Sequence, residues 1–162
     1  MASQTSSPSS RQAATPQTTA IRVTVTQTDD ATSEASIRHH RLLVDRPSAK
    51  GGHDAGPMGG EVLLAALGGC FMSTLLAAVK AREAEFGTLS ASVTGTLAGS
   101  PSRFERIRLE LSAEGSQPEG SGGGALTDEG RSSLERLALM AERACIVANT
   151  LRGSVTLEFA VV

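Results

Sequence analysis

Apolar and polar positions divide the chain into blocks of different period. The first 19 residues, MASQTSSPSSRQAATPQTT, offer little to bury. That composition predicts a disordered tail over 1–19 and one folded domain over 20–162. Ile21, Val23 and Val25 alternate with polar residues, the period of a strand. Residues 36–44, SIRHHRLLV, read as its hairpin partner across a polar turn at Asp29 and Asp30. The Gly- and Pro-rich DRPSAKGGHDAGPMGG reads as a loop. EVLLAALGGCFMSTLLAAV follows, uncharged from Val62 to Val79, and runs into KAREAEFG. The prediction there is a helix from about Gly60 to Phe86, with Gly87 as its C-cap.

Beyond it, Leu89, Ala91, Val93 and Leu97 alternate, with Gly95 in phase. GSPS at 99–102 is a turn, and Ile107, Leu109 and Leu111 alternate with charged residues. The pair predicts an antiparallel hairpin with one buried face. EGSQPEGSGGGA, residues 114–125, reads as a flexible loop. A second helix is predicted from Thr127, whose hydroxyl suits an N-cap, with Asp128 and Glu129 at the positive end of the dipole. Its apolar stripe is Leu134, Leu137, Ala138, Ala141 and Cys145. After Gly153, Val155, Leu157, Phe159 and Val161 alternate as a last strand. The fold class is α+β, a mostly antiparallel sheet packed with long buried helices.

The uncharged run has 18 residues, and a membrane span needs about 20. Gly68, Gly69, Ser73, Thr74 and four alanines lower its hydrophobicity, and no polybasic segment flanks it. The expectation is a helix buried on nearly every side, with no membrane involved. A chain of 162 residues can hardly surround such a helix alone, which predicts a homodimer. Fifteen basic against seventeen acidic residues give a net charge of −2, and four Phe are the only aromatics among Phe, Tyr and Trp. Neither feature suits nucleic acid. The N-terminus has no apolar signal region, so the expected location is cytoplasmic, where a stable structural disulfide is disfavoured.

The chemistry-bearing residues are Cys70 and Cys145, both expected to face the core and to meet across a helix–helix contact. Each taken alone is also consistent with an inert buried thiol. A thiol in apolar surroundings needs a nearby cation or hydrogen-bond donor to react. Glu61 lies nine residues before Cys70, about 13.5 Å along a helix. It cannot touch the thiol but could anchor an Arg over it, and Arg38, Arg41 and Arg46 are the candidates. His39, His40 and His53 carry no carboxylate or Cys at metal-ligand spacing, and adjacent strand residues point to opposite faces, so no metal is expected. The Gly-rich 119–124 stretch lacks the Lys-Ser/Thr of a phosphate loop. Ser73 and Thr74 read as helix residues bonding back to the preceding turn.

GGHDAGPMGGEVLLAALGGCFMSTLLAAV resembles the first cysteine motif of the OsmC/Ohr family, the osmotically induced and organic hydroperoxide resistance proteins. ALMAERACIVANTLRGSVTLEF resembles its second motif and terminal strand. The resemblance covers about residues 20–162. It implies an OsmC-like fold, an intertwined homodimer and a site at the subunit interface. It further implies that Cys70 attacks an organic hydroperoxide and becomes a sulfenic acid. Cys145 would resolve it to a disulfide, which an external dithiol reduces without any cofactor. In the hydroperoxide branch, an Arg from the first hairpin, held by a Glu ten residues before the cysteine, activates the thiol. Here that position is Gly60, and Glu61 comes one later, as in the broader OsmC-like branch. The first turn, QTDDATSE, has no Arg, and the nearest matches are Arg38 and Arg41. Ile146 stands where the family usually has Pro. These departures leave a second reading beside the peroxidase, a non-enzymatic OsmC-like protein binding an apolar small molecule in the same pocket.

Overall fold

A computed structural model describes residues 18–113 and 126–162. The tail expected over 1–19 lies outside the described residues but for Thr18 and Thr19, and so does the loop expected at 114–125. β1 (Thr24–Gln27), β2 (Ser33–Ile37) and β3 (His40–Val44) form an antiparallel sheet in that order. The turn at Asp29 is where the sequence places it. The Asp29 carboxylate accepts the backbone N–H groups of Ala31 at 3.0 Å and Thr32 at 2.6 Å. Residues 36–44, however, are not one strand. Ile37 pairs with His40 across a two-residue turn, and Arg38 has φ 57°, a region usually left to Gly or Asn. With no such residue present, the pattern gives no sign of the turn. Only Val25 of the expected strand residues lies in β1, and Ile21, Val23 and Val25 are exposed at 85%, 47% and 61%, so the other described residues do not cover their apolar side.

The following loop is held from within. Asp45, nearly fully buried, accepts the N–H groups of Arg46, His53 and Ala55 at 2.7, 2.9 and 3.1 Å. A short 3-10 turn, Ser48–Lys50, lies inside this supposedly irregular stretch. The His53 ring reaches back to the first turn, with Nε2 at 2.9 Å from Asp30 Oδ1 and 4.0 Å from Asp29 Oδ1.

α1 spans Gly59–Ala81, five residues shorter at its C-terminal end than the pattern suggests. Its start is set by Glu61, whose carboxylate accepts the Met58 N–H at 2.7 Å. Its end is a Schellman turn. Glu83 N–H donates to Lys80 O and Ala84 N–H to Val79 O, with Glu83 at φ 51° in the position Gly usually fills. Gly87 therefore plays no capping role.

β4 (Leu89–Ala98) and β5 (Arg103–Ala113) form the expected hairpin, and β6 (Thr156–Val161) joins β5 in parallel. The described residues thus hold two three-stranded sheets rather than one, ordered β1-β2-β3 and β4-β5-β6. A register irregularity between Thr96 and Leu97 turns Leu97 out to 62% exposure, against the alternation in the sequence. Gly95 keeps its phase for a steric reason. A Cβ there would sit 2.4 Å from the Phe104 ring and 3.1 Å from Leu64.

α2 (Asp128–Ala144) begins as expected, the Thr127 hydroxyl accepting the Gly130 N–H at 3.1 Å. It stops at Cys145, and α3 (Ile146–Leu151) starts there on a new axis. The core joins Leu67, Phe71 and Leu75 of α1, Ile107, Leu109 and Leu111 of β5, Leu134, Leu137 and Ala141 of α2, and Cys145 and Ala148. Phe71 stacks on Phe159 of β6 with ring centroids 5.7 Å apart. α1 is long and apolar enough to cross a membrane, yet it packs on β4, α2 and α3. Only Leu67, Gly68, Phe71 and Leu75 of its residues are buried by this chain.

The hydrogen bond to Asp30, followed by the charges of Asp30 and Asp29, raises the His53 pKa above its ordinary 6.5, against a smaller opposing effect of desolvation. A group whose folded pKa is raised stabilises the fold below its unfolded value, and that contribution is lost as pH rises through the folded value. An NMR titration of the His53 ring should place its midpoint above 6.5, and Asp30→Asn should bring it down. An unmoved midpoint would remove Asp30 as the cause.

Candidate functional site

Cys70 lies in the middle of α1, half-buried, between the buried Phe71 and the exposed Gly69. Cys145 is fully buried. It does not continue the α2 stripe as a helical residue. It is the C-cap of α2 and the N-cap of α3 at once, and its Sγ accepts the Ala148 N–H at 3.4 Å. The break turns the first N–H groups of α3 toward α1.

The two free thiols lie near enough to act on each other's titration, as a meeting across the helix contact requires. Their electrostatics diverge. Burial alone would push the Cys70 thiol up. The Val147 N–H, the Cys145 thiol and the Ile146 N–H together outweigh it and hold Cys70 below the ordinary thiol value. Burial pushes the Cys145 thiol up and the Ala148 N–H opposes it. The neighbouring Cys70 then adds to the rise. The arrangement favours a thiolate on Cys70 and a proton on Cys145, the polarity needed for one sulfur to attack first and the other to follow.

The charged residues singled out in the sequence do not join this pair within one chain. Glu61 is exposed, bonded to the start of its own helix, and lines a groove of about 480 Å³ with Leu64, Ala65, Gly68, Gly69, Met72, Ala91 and Val93. Arg41 pairs with Glu34 at 3.1 Å on the first sheet, and Arg38 occupies the β2–β3 turn. Arg46 sits at the start of the Asp45 loop. Among the described residues no Arg forms an ion pair with Glu61. The donors that sequence reasoning missed are the backbone N–H groups of Ile146 and Val147. One signal was legible, because Ile146, unlike Pro, has an N–H to give.

Thr74 bonds back as expected, its Oγ1 lying 3.1 Å from Cys70 O and 2.8 Å from Phe71 O, and it also lies 3.2 Å from Ala141 O of α2. The histidines differ from expectation in geometry. His39 and His40 sit side by side at the turn, ring centroids 4.0 Å apart, instead of on opposite faces. Asp29, Asp30 and His53 gather within 4.8 Å, although distant in sequence. All three are exposed, Asp29 serves two backbone N–H groups and His53 bonds Asp30 directly, so the trio fastens a loop.

The role of Ile146 is open to test by Ile146→Pro, which the first position of a helix accepts. The alkylation rate of Cys70 by iodoacetamide, followed against pH and assigned by peptide mass, should show its midpoint move to higher pH. An unchanged midpoint would mean that the Ile146 N–H does not hold the thiolate.

The family model described as OsmC-like protein matches residues 51–160. No curated protein sequence matches the chain. Among solved structures, an OsmC-like protein from Mycoplasma pneumoniae superposes with a TM-score of 0.70 at 18% identity, covering 89% of this chain and 96% of that one. An OsmC-like protein from Vibrio cholerae reaches 0.71 at 12%, covering 90% and 100%. An organic hydroperoxide resistance protein OsmC from Legionella pneumophila gives 0.61 at 17%, covering 88% and 96%. At these identities the likeness speaks for the fold. With more than half of its length matched, cysteine segments included, this chain belongs to the OsmC-like protein family.

Proposed function

We propose that the protein is a thiol-dependent peroxidase that reduces organic hydroperoxides in oxidative-stress defence. The observation that carries this reading is the pair of neighbouring thiols whose pKa values are shifted in opposite directions. Family membership supports a redox or stress role, and some structural neighbours are named organic hydroperoxide resistance proteins. The Cys70 thiolate attacks the outer oxygen of ROOH, the O–O bond breaks, and the alkoxide takes a proton and leaves as ROH. The sulfenic acid left on Cys70 is then attacked by Cys145 sulfur as that thiol gives up its proton. The S–O bond breaks, water departs and the disulfide forms. An external dithiol restores both thiols with two electrons and ends as its own disulfide. The reading invokes no cofactor, metal, nucleic acid or membrane, and it suits the reducing cytoplasm.

The working unit we propose is a homodimer. Ala65, Gly69, Ser73 and Ala77 recur every fourth residue of α1, and all four are exposed. Leu76 beside them and the apolar side of β1 are uncovered as well. A second copy packed there would bury both surfaces. Its first sheet would be the source of an Arg38 or Arg41 that reaches Glu61 over the Cys70 site. The second reading, a non-enzymatic binder of an apolar small molecule, is favoured by the apolar Glu61 groove and by the pairing of Arg41 with Glu34 rather than with Glu61.

Reduced protein mixed with cumene hydroperoxide should lose both thiols rapidly, and Cys70→Ser should abolish the loss. Unchanged thiols at millimolar peroxide would favour the binder. Light scattering should give twice 16.6 kDa. A Cβ on Gly69 meets nothing within 4 Å in its own chain, so Gly69→Leu should fold yet shift the mass to the monomer. A monomeric wild type would end the dimer reading, and flotation with phosphatidylcholine vesicles would point to a membrane instead.

A further inference from the structure

The break before Cys145 leaves a carbonyl to be satisfied. In a continuous helix the Cys145 N–H would donate to Ala141 O, but here it donates to Glu142 O at 3.3 Å. Ala141 is buried, so water does not replace the missing donor. The Thr74 hydroxyl, from the helix turn that follows Cys70, lies 3.2 Å from Ala141 O. It is also near Cys70 O and Phe71 O, but those carbonyls sit inside the unbroken α1 and have helix donors of their own. A hydroxyl has one proton to give, and Ala141 O is the acceptor whose regular helix donor, the Cys145 N–H, bonds elsewhere.

We propose that Thr74 is a positioning residue for the cysteine pair. Its hydroxyl ties the turn after Cys70 to the last turn before Cys145 and so fixes the approach of the two sulfurs. The inference rests on the peroxidase reading and deepens it by assigning a side chain to its second step. Closing a disulfide demands a narrow separation and angle between the sulfurs. The first step needs only the thiolate and an approaching peroxide. Loss of the tie therefore slows closure and spares sulfenic acid formation.

The test compares wild type, Thr74→Val, Thr74→Ala and Thr74→Ser as full chains, each checked for fold by far-UV circular dichroism. After a stoichiometric addition of cumene hydroperoxide, dimedone traps the Cys70 sulfenic acid, and peptide mass follows the Cys70–Cys145 disulfide. Thr74→Val should form the sulfenic acid within about twofold of wild type and close the disulfide about tenfold more slowly, as a modest misplacement of reacting atoms does. Thr74→Ala should behave likewise and stands in if Thr74→Val does not fold. Thr74→Ser should return closure to within about twofold of wild type, because it restores the donor. Unchanged closure in the Val and Ala variants, equal slowing of both steps, or failure of Ser to rescue would overturn the proposal. The same rates are measured with diamide, which takes two electrons and two protons from a thiol pair without a peroxide. If diamide closes the wild-type pair and cumene hydroperoxide leaves it untouched, the peroxidase reading falls and Thr74 is judged on the diamide rates. A wild type that closes with neither overturns both.

Discussion

Two sulfurs meet only where one segment of chain is turned to face another, and here that turn is the break between α2 and α3. An unbroken helix through Cys145 would leave its thiol as one more residue of an apolar stripe. The break turns the sulfur out of the helical row and gives it the Ala148 N–H to accept. It also presents the free N–H groups of Ile146 and Val147 to Cys70. The opposing thiol is fixed by Leu67, Phe71 and Leu75, which anchor α1 against β5 and α2. Two chemically identical side chains thus become unequal through burial, backbone donors and each other.

The same packing leaves a surplus of apolar surface. α1 is apolar on almost every side, but the chain has only enough other elements to cover the stripe facing β4, α2 and α3. The first sheet, with Val25 bare and Ile21 and Val23 bare just before it, makes little contact with the helices. Both surfaces are bare for one reason. A small two-layer domain cannot enclose a central helix of 23 residues by itself.

What the sequence disclosed and what it hid divide along the range of the interaction. Period-2 alternation placed Ile107, Leu109 and Leu111 inward, and Thr127 marked the start of α2, because both depend on neighbours in the chain. The two motifs placed Cys70 and Cys145 and indicated that they meet. Local signals failed where the backbone took conformations that the residue type does not advertise. Arg38 and Glu83 stand where Gly or Asn is usual, so the β2–β3 turn and the end of α1 were silent. The irregularity at Thr96–Leu97 inverted one face of an otherwise regular strand. The bond from Thr74 to Ala141 spans 67 residues and the His53–Asp30 contact spans 23, distances over which a pattern in one chain carries no information. The donors to Cys70 are main-chain groups, which no inspection of side chains would find.

The meeting of Gly95 and Phe104 has a consequence for how this chain can change. The ring occupies the volume where any side chain at position 95 would begin, and Leu64 closes the other side. The two positions are therefore one unit of inheritance. A larger residue at 95 is admissible only together with a smaller one at 104, and neither step is neutral when taken first. Drift at the hairpin must cross a valley or wait for a double change. The strand beneath α1 is in this way locked by geometry, independently of any demand that the thiols make.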